Sequence, residues 1–265
     1  MKMINDYAKY NGEGTELRKA QIRLLEILVE VDKIFKNHDI TYFLSGGTCL
    51  GAVRHGGFIP WDDDVDIDVM KKDYKKIKQI LKNELPDKYA LQIPKSDKGY
   101  YQMYIRVVDK NSYIEYAENK NRDQLEYKGL FLDIFPIERI LSYRVKKFID
   151  SYYVRIFRVK RNIGGSTIKR IIAYFAWPLI KSIVITLRVC SIFSNHEKFS
   201  HSYGTNIAPR LKLSNLFPTK PICFEGLFFL GPGKPHNYLK DLYGEYMNIP
   251  PQAKRHVHGV KIKVY

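Results

Sequence analysis

The stretch YFLSGGTCLGAVRHGGFIPWDDDVDIDV, residues 42–69, decides how this chain folds. It begins inside a β-branched and aromatic run, ITYFL (residues 40–44), which reads as a short buried strand. Ser45, Gly46 and Gly47 stop that strand. TCLGAVR then supplies a short helix, and Gly56 and Gly57 open a loop that ends at Pro60 and Trp61. Beyond it Asp64, Asp66 and Asp68 alternate with Val65, Ile67 and Val69. A strand's period of two sends the acids to one face and the aliphatics to the other. The aliphatics demand a buried face, which separates these carboxylates from the solvated acids of ordinary loops.

Acids crowded on one strand face repel one another unless a cation or a basic partner compensates them. Asp64 and Asp66, two apart, are spaced to hold Mg²⁺ or Mn²⁺, hard ions that take carboxylate oxygens and leave positions for phosphates. Asp62, Asp64 and Asp66 also match the first positions of a calcium loop, but Ile67 stands where that loop needs glycine and Asp73 where it needs glutamate. A glycosyltransferase DxD motif is satisfied by Asp64-Val65-Asp66 and stays open. Ser45, Gly46, Gly47 and Thr48, at the start of the helix, form a candidate phosphate cradle, because glycine lets an anion approach unpaired backbone amides; a plain tight turn is the alternative.

Outward from this stretch, apolar residues recur at three and four from Leu17 to Phe35, predicting a helix from Glu16 to about Asn37 capped by Thr15. Residues 71–85 read as a solvated amphipathic helix, and residues 92–93 and 102–108 as strands. GLFLDIFP (residues 129–136) is a further strand with one acid, Asp133, inside an apolar run. Such an acid is costly unless it is paired or metal-bound, so Asp133 is the candidate third carboxylate, with a buried ion pair as the alternative and Asp109 as the substitute. Residues 111–128 are too polar to place.

The chain has 265 residues and a net charge of +16. Residues 141–190 carry eleven Lys or Arg against one acid, Asp150. A basic surface attracts polyanions without naming them. Residues 146–193 read as mostly helical, interrupted at Gly164 and Gly165 and bent or broken at Pro178. IIAYFAWPLIKSIVITLRVCSIF is cut by Lys181 and Arg188, so a helix in a membrane interface or a core helix with a basic rim fits better than a spanning one. Three widely spaced cysteines and an amino terminus without an apolar core predict a cytoplasmic protein, peripheral at the inner face of the cell membrane. Nucleic acid is disfavoured as a partner, since the aligned carboxylates would repel its backbone.

Other candidates surround the acids. Arg54 and His55 are placed to contact donor phosphates or to serve as loop residues. Trp61 is placed to stack on a base, to face a quaternary ammonium or to cap the core. Lys254, Arg255 and His258 follow a rigid Pro-Pro and form either a phosphate- or acceptor-recognising cluster or a basic surface. Tyr243 and Tyr246 are read as packing residues.

Residues 42–69, with the later blocks GLFLDIFPIE and YLKDLYGEYMNIPPQAKRHVH, resemble the LicD family, which includes the fukutin-related proteins. The resemblance implies an α+β, nucleotidyltransferase-like core with a mixed sheet flanked by helices, plus a helical elaboration. The order of acid-rich blocks before the basic helical stretch divides the chain into 1–141, the N-terminal part of the catalytic core; 142–200, a basic helical insertion facing membrane or acceptor; and 201–265, a segment completing the site. The resemblance also implies transfer of phosphocholine, or another phospho-alcohol, from CDP-choline or a related CDP-alcohol to a hydroxyl of a glycan or lipid-linked glycan, such as teichoic acid, lipopolysaccharide or capsule precursors, with release of CMP. The family pattern falls on Gly46, Gly47, Asp64, Asp66 and Asp133. Gly259 stands where many relatives have a second histidine. A nucleotidyltransferase using an NTP and a non-catalytic basic membrane- or nucleic-acid-binding protein are the competing readings.

Overall fold

The computed structural model describes residues 7–116, 124–161, 165–194, 198–255 and 259–265. A short turn of helix, α1 (Ala8–Asn11), precedes α2 (Glu16–Asn37). The Thr15 hydroxyl accepts from the Arg18 amide at 3.2 Å, the N-cap its sequence predicts. Leu24, Ile27, Leu28, Val31 and Phe35 form the buried stripe of α2. Each contributes about 1.5–3 kcal/mol by leaving water.

The core is a mixed sheet. Its strands are β1 (Tyr42–Leu44), β2 (Val65–Met70), β3 (Tyr89–Gln92), β4 (Ile105–Asp109) and β6 (Phe131–Arg139), in the order β1-β2-β6-β4-β3. β2 and β6 are parallel, and the other pairs of that row are antiparallel. β5 (Ser112–Tyr116) lies outside the row and pairs with β10 (Gly259–Val264). α3 (Gly46–His55) leaves β1, and α4 (Tyr74–Glu84) links β2 to β3. The helix after β1 thus begins two residues earlier than the sequence pattern suggests, with both glycines inside it.

After β6 the chain makes a helical hairpin, α5 (Tyr143–Lys160) and α6 (Thr167–Ile192), and returns as β7 (Phe199–His201), which pairs with the end of β6. α6 runs unbroken across Pro178, because neighbouring turns hold it once one hydrogen bond is lost. The short α7 (Leu213–Leu216), the hairpin β8 (Lys220–Phe224) and β9 (Leu227–Gly231), and α8 (Pro235–Tyr243) complete the wall beside α3.

The two faces of the sheet differ as the alternation requires. Val65, Ile67, Val69, Leu132 and Ile134 are buried in one cluster with the stripe of α2. The acids of β2 and β6 point the other way.

Candidate active site

Asp66 and Asp133 are register partners on the parallel strands β2 and β6, so their side chains emerge side by side. Two hydrogen bonds fix the start of α3 to that point. The Ser45 amide donates to the Asp66 carbonyl at 3.0 Å, and the Asp66 amide donates to the Thr48 hydroxyl at 2.9 Å. The loop between them is fastened from outside. The buried Gln21 of α2 donates to the carbonyls of Ile59 and Asp62, at 3.3 and 3.0 Å. At the β8–β9 turn, where Glu225 and Gly226 both have positive φ, the Glu225 carboxylate accepts from the Phe58 amide at 3.0 Å and from Arg18 at 2.6 Å.

Gly46 has φ +50°. A Cβ there would stand 3.6 Å from the Tyr243 hydroxyl and 3.8 Å from Asp66 Oδ2, within the gap between them. A Cβ on Gly47 would stand 3.0 Å from Asp62 Oδ2. The gap opens into a cavity of about 350 Å³ walled by Asp66, Gly46, Phe135, His201, Tyr238 and Tyr243. The Gly46 amide is engaged: it donates to the Tyr238 hydroxyl at 3.0 Å, which also lies 3.2 Å from the Ser45 hydroxyl. The first-turn amides of α3 left for the candidate cradle are therefore those of Gly47 and Thr48.

Burial, then the charges of Asp64, Asp133, Asp62 and Asp68, hold the Asp66 carboxyl well above the usual carboxylate range. A divalent cation would relieve that repulsion, and the all-oxygen donors Asp64 and Asp66 fit such an ion. Asp133 is differently committed. Arg106 of β4 donates to both of its oxygens at 2.7 and 2.8 Å, and the guanidinium lies over the Phe131 ring, 3.4 Å from its centroid. Among the described residues no three acids, histidines or cysteines converge as a metal cage. Asp133 thus stands beside the candidate metal pair in the ion pair that its apolar strand anticipates.

Asp109, the substitute, lies on the other face of the sheet. It is fully buried and accepts from Arg23 of α2 at 3.0 Å, a structural pair. Asp68 is also fully buried. Its carboxylate meets His201 Nε2 of β7 at 3.0 and 3.2 Å, and that ring stacks on Phe135 at 4.7 Å. The pair braces one wall of the cavity.

On the far side of Tyr243 is a second cavity of about 330 Å³, bordered by Gly47, Arg54, Trp61 and Tyr246. Arg54 donates to the Tyr246 carbonyl at 2.8 Å and to His55 Nε2 at 3.0 Å. Burial, reinforced by the Arg54 charge, lowers the His55 pKa to about 4. Trp61 is buried against Tyr7, Tyr10 and His55, with the Arg255 guanidinium 4.9 Å from its ring. That packing matches the core-capping alternative, although the ring edges the cavity. Lys254 is exposed on a 3-10 turn, and His258 lies outside the described residues.

Arg106, His201 and Tyr238 were not apparent as site residues from the sequence, and Tyr243 looked like packing. Arg106 carries the one available signal, a basic residue inside the strand run IRVVD.

Residues 39–163 match the family described as LicD/FKTN/FKRP, nucleotidyltransferase domain. The chain aligns with lipopolysaccharide cholinephosphotransferase LicD of Haemophilus influenzae at 25% identity, covering 92% of this chain and 96% of that protein. Shorter likenesses run to human ribitol 5-phosphate transferase FKRP, 46% identical over 16% of this chain and 8% of that protein, and to mouse ribitol-5-phosphate transferase FKTN, 42% identical over 20% and 12%. A domain match over residues 39–163 that contains the glycine turn, the acid strand and Asp133, joined to an alignment that runs nearly end to end, supports the LicD family for this chain.

Proposed function

We propose that this protein transfers phosphocholine from CDP-choline to a hydroxyl of a glycan precursor, releasing CMP. The reading rests on one observation above the rest: an acid pair beside the first turn of a helix, opening on a cavity with aromatic walls. Phe135, Tyr238 and Tyr243 suit a quaternary ammonium, which aromatic faces attract by about 0.5–2 kcal/mol each. The cavity beside Arg54 and Trp61 takes the cytidine end, and Gly47 and Tyr243, shared by both cavities, mark where the pyrophosphate crosses. The likeness to a cholinephosphotransferase along most of the chain favours choline over ribitol, whose transferases match only short stretches.

The acceptor oxygen attacks the phosphorus that bears choline, and a phosphodiester forms. The bond from that phosphorus to the bridging oxygen breaks, so CMP leaves with that oxygen. The hydroxyl proton passes to the acid cluster, where Arg106 holds Asp133 in place. Mg²⁺ or Mn²⁺ held by Asp64 and Asp66 would supply neutralisation of the phosphate charge. Gly47 and Thr48 present amides to the phosphates, and Tyr243 closes over the gap at Gly46.

The acceptor approaches from a third cavity of about 620 Å³, lined by Tyr101, Tyr104, Arg155, Arg158, Asn206 and Ile207. Tyr104 packs on Phe135 at 4.5 Å, and Ile207 borders both spaces, so a thin wall divides acceptor from donor. Two arginines there suit a phosphorylated glycan.

Incubation with CDP-choline, CDP-ribitol or CDP-glycerol, extracted glycan and Mg²⁺ or Mn²⁺ tests the reading. CMP release that depends on glycan, is fastest with CDP-choline and is lost in Asp66→Asn is the expected result. Pyrophosphate release from an NTP, with CDP-alcohols inert, would replace it with nucleotidyl transfer.

A further inference from the structure

Among the described residues, nothing covers a broad apolar face of the α5–α6 hairpin. In the most apolar stretch of α6 only 17% of residues are buried, which a core helix would not show. Ile168, Ile171, Ile172, Phe175, Leu179 and Ile183 are 46–70% exposed. On α5, Phe148 and Tyr152 continue the patch, their rings 5.0 Å apart and both exposed. So large an apolar surface marks an interaction site rather than ordinary surface scatter.

Cations edge it. Arg170 and Lys181 fall within about 20° of one another at 100° per residue, between the buried side of α6 and its exposed apolar residues Tyr174, Ile185 and Ile192. Arg144, Lys147 and Arg155 are exposed on α5. An apolar face rimmed by arginine and lysine is complementary to a bilayer with anionic headgroups. A second copy of the same face would bring its own cations against these, which argues against self-association.

The helix is held flat. Ala173, Ile180, Val184 and Ser191 are buried along its inner side from one end to the other, and Arg188 grips both oxygens of Glu138 on β6 at 2.8 and 3.0 Å. By length and composition α6 could cross a membrane, but a spanning helix would have to leave these contacts. From these features we infer that the outer face of α5 and α6 lies in the interface of an anionic lipid bilayer, as a monotopic docking surface.

That placement reaches the site. The buried Lys146 of α5 pairs with Asp150 and donates to the Ile207 carbonyl at 2.8 Å, while the Gly204 amide donates to Asp150 at 2.7 Å. Residues 204–207 therefore move with the docked hairpin, and Ile207 borders both the donor cavity and the acceptor cavity. A lipid-borne acceptor would meet the site at fixed height. The docking does not depend on which group is transferred.

Vesicle flotation tests it with the full chain. The wild type should float with phosphatidylglycerol–phosphatidylcholine vesicles, less so in high salt, and weakly with phosphatidylcholine alone. Phe175→Glu combined with Leu179→Glu should cut the partition at least about tenfold. Lys147→Glu combined with Lys181→Glu, which leaves the apolar face intact, should remove the preference for the anionic lipid. Thermal melting checks that both variants fold. Wild type that stays in the soluble fraction with both vesicle types, or a dimer in sedimentation that Phe175→Glu with Leu179→Glu dissolves, would overturn the inference.

Discussion

Asp66 and Asp133 face each other across two parallel strands, yet only Asp133 has an arginine: Arg106 reaches it from β4, on the far side of β6. The two acids should therefore respond oppositely to the same substitution. Asp66→Asn removes a charge that burial and four neighbouring acids oppose, so chemical denaturation should show unchanged or higher stability. Its transferase rate should fall by at least about 100-fold, since Asp66 is a proposed ligand of the cation that would neutralise the phosphates. Asp133→Asn strands the buried Arg106 guanidinium, a change that costs about 3–5 kcal/mol. Equal stability losses in both variants would contradict the arrangement.

The sheet's central strands were legible because their patterns are local. Alternation over six residues places β2, and the apolar run around Asp133 places β6. What could not be read was pairing across distance. His201 meets Asp68 from 133 positions away, and Tyr238 meets Gly46 from 192. Neither sits in a pattern that announces a partner. β5 escaped for the same reason, since its ladder is completed only by β10 at the end of the chain. Asp109, the substitute, ends its strand three positions from Arg106, the register partner of Asp133, and that odd step turns it to the opposite face, toward Arg23. The continuity of α6 through Pro178 is likewise a tertiary effect: packing on α5 and β6 outweighs the missing hydrogen bond.

Acid should weaken the fold through His55. Its folded pKa is lowered from 6.5 to about 4, because the ring is partly buried and Arg54 donates to Nε2. The unfolded chain binds the proton more readily, so the contribution is complete above about pH 6.5 and is lost as pH falls toward 4. Melting temperatures at pH 7 and pH 5 should differ more in the wild type than in His55→Gln, which cannot protonate. An equal fall in both would assign the acid sensitivity elsewhere.

Gly57 tests how the acid loop is held. A Cβ there would lie 2.1 Å from the Glu225 carboxylate oxygen. Glu225 cannot simply swing away, because the same carboxylate binds the Phe58 amide and Arg18. Gly57→Ala should cost about 2–3 kcal/mol by breaking charge-assisted hydrogen bonds. Adding Glu225→Ala, which removes the obstructing group, should recover part of that loss in a double-mutant cycle. Purely additive losses would show that the two residues do not contact.

The cavity bearing Arg155 and Arg158 distinguishes acceptor from donor recognition. Arg155 is exposed, and Arg158 is half-buried with its guanidinium 5.8 Å from the Tyr101 ring. Replacing Arg155 alone with alanine should leave stability within about 0.5 kcal/mol of the wild type, as for surface changes, and thermal melting checks that the double replacement still folds. The two side chains meet the proposed phosphorylated acceptor, and a lost charge-assisted hydrogen bond is worth about 1.5–3 kcal/mol. The acceptor KM should therefore rise at least about tenfold while the KM for CDP-choline holds. Arg54→Ala should show the reverse pattern, because its side chain borders the cavity on the opposite side of Tyr243. If the arginine pair instead raised the KM for CDP-choline, donor and acceptor would have to exchange cavities, and Tyr104 with Phe135 would then wall off the nucleotide rather than the glycan.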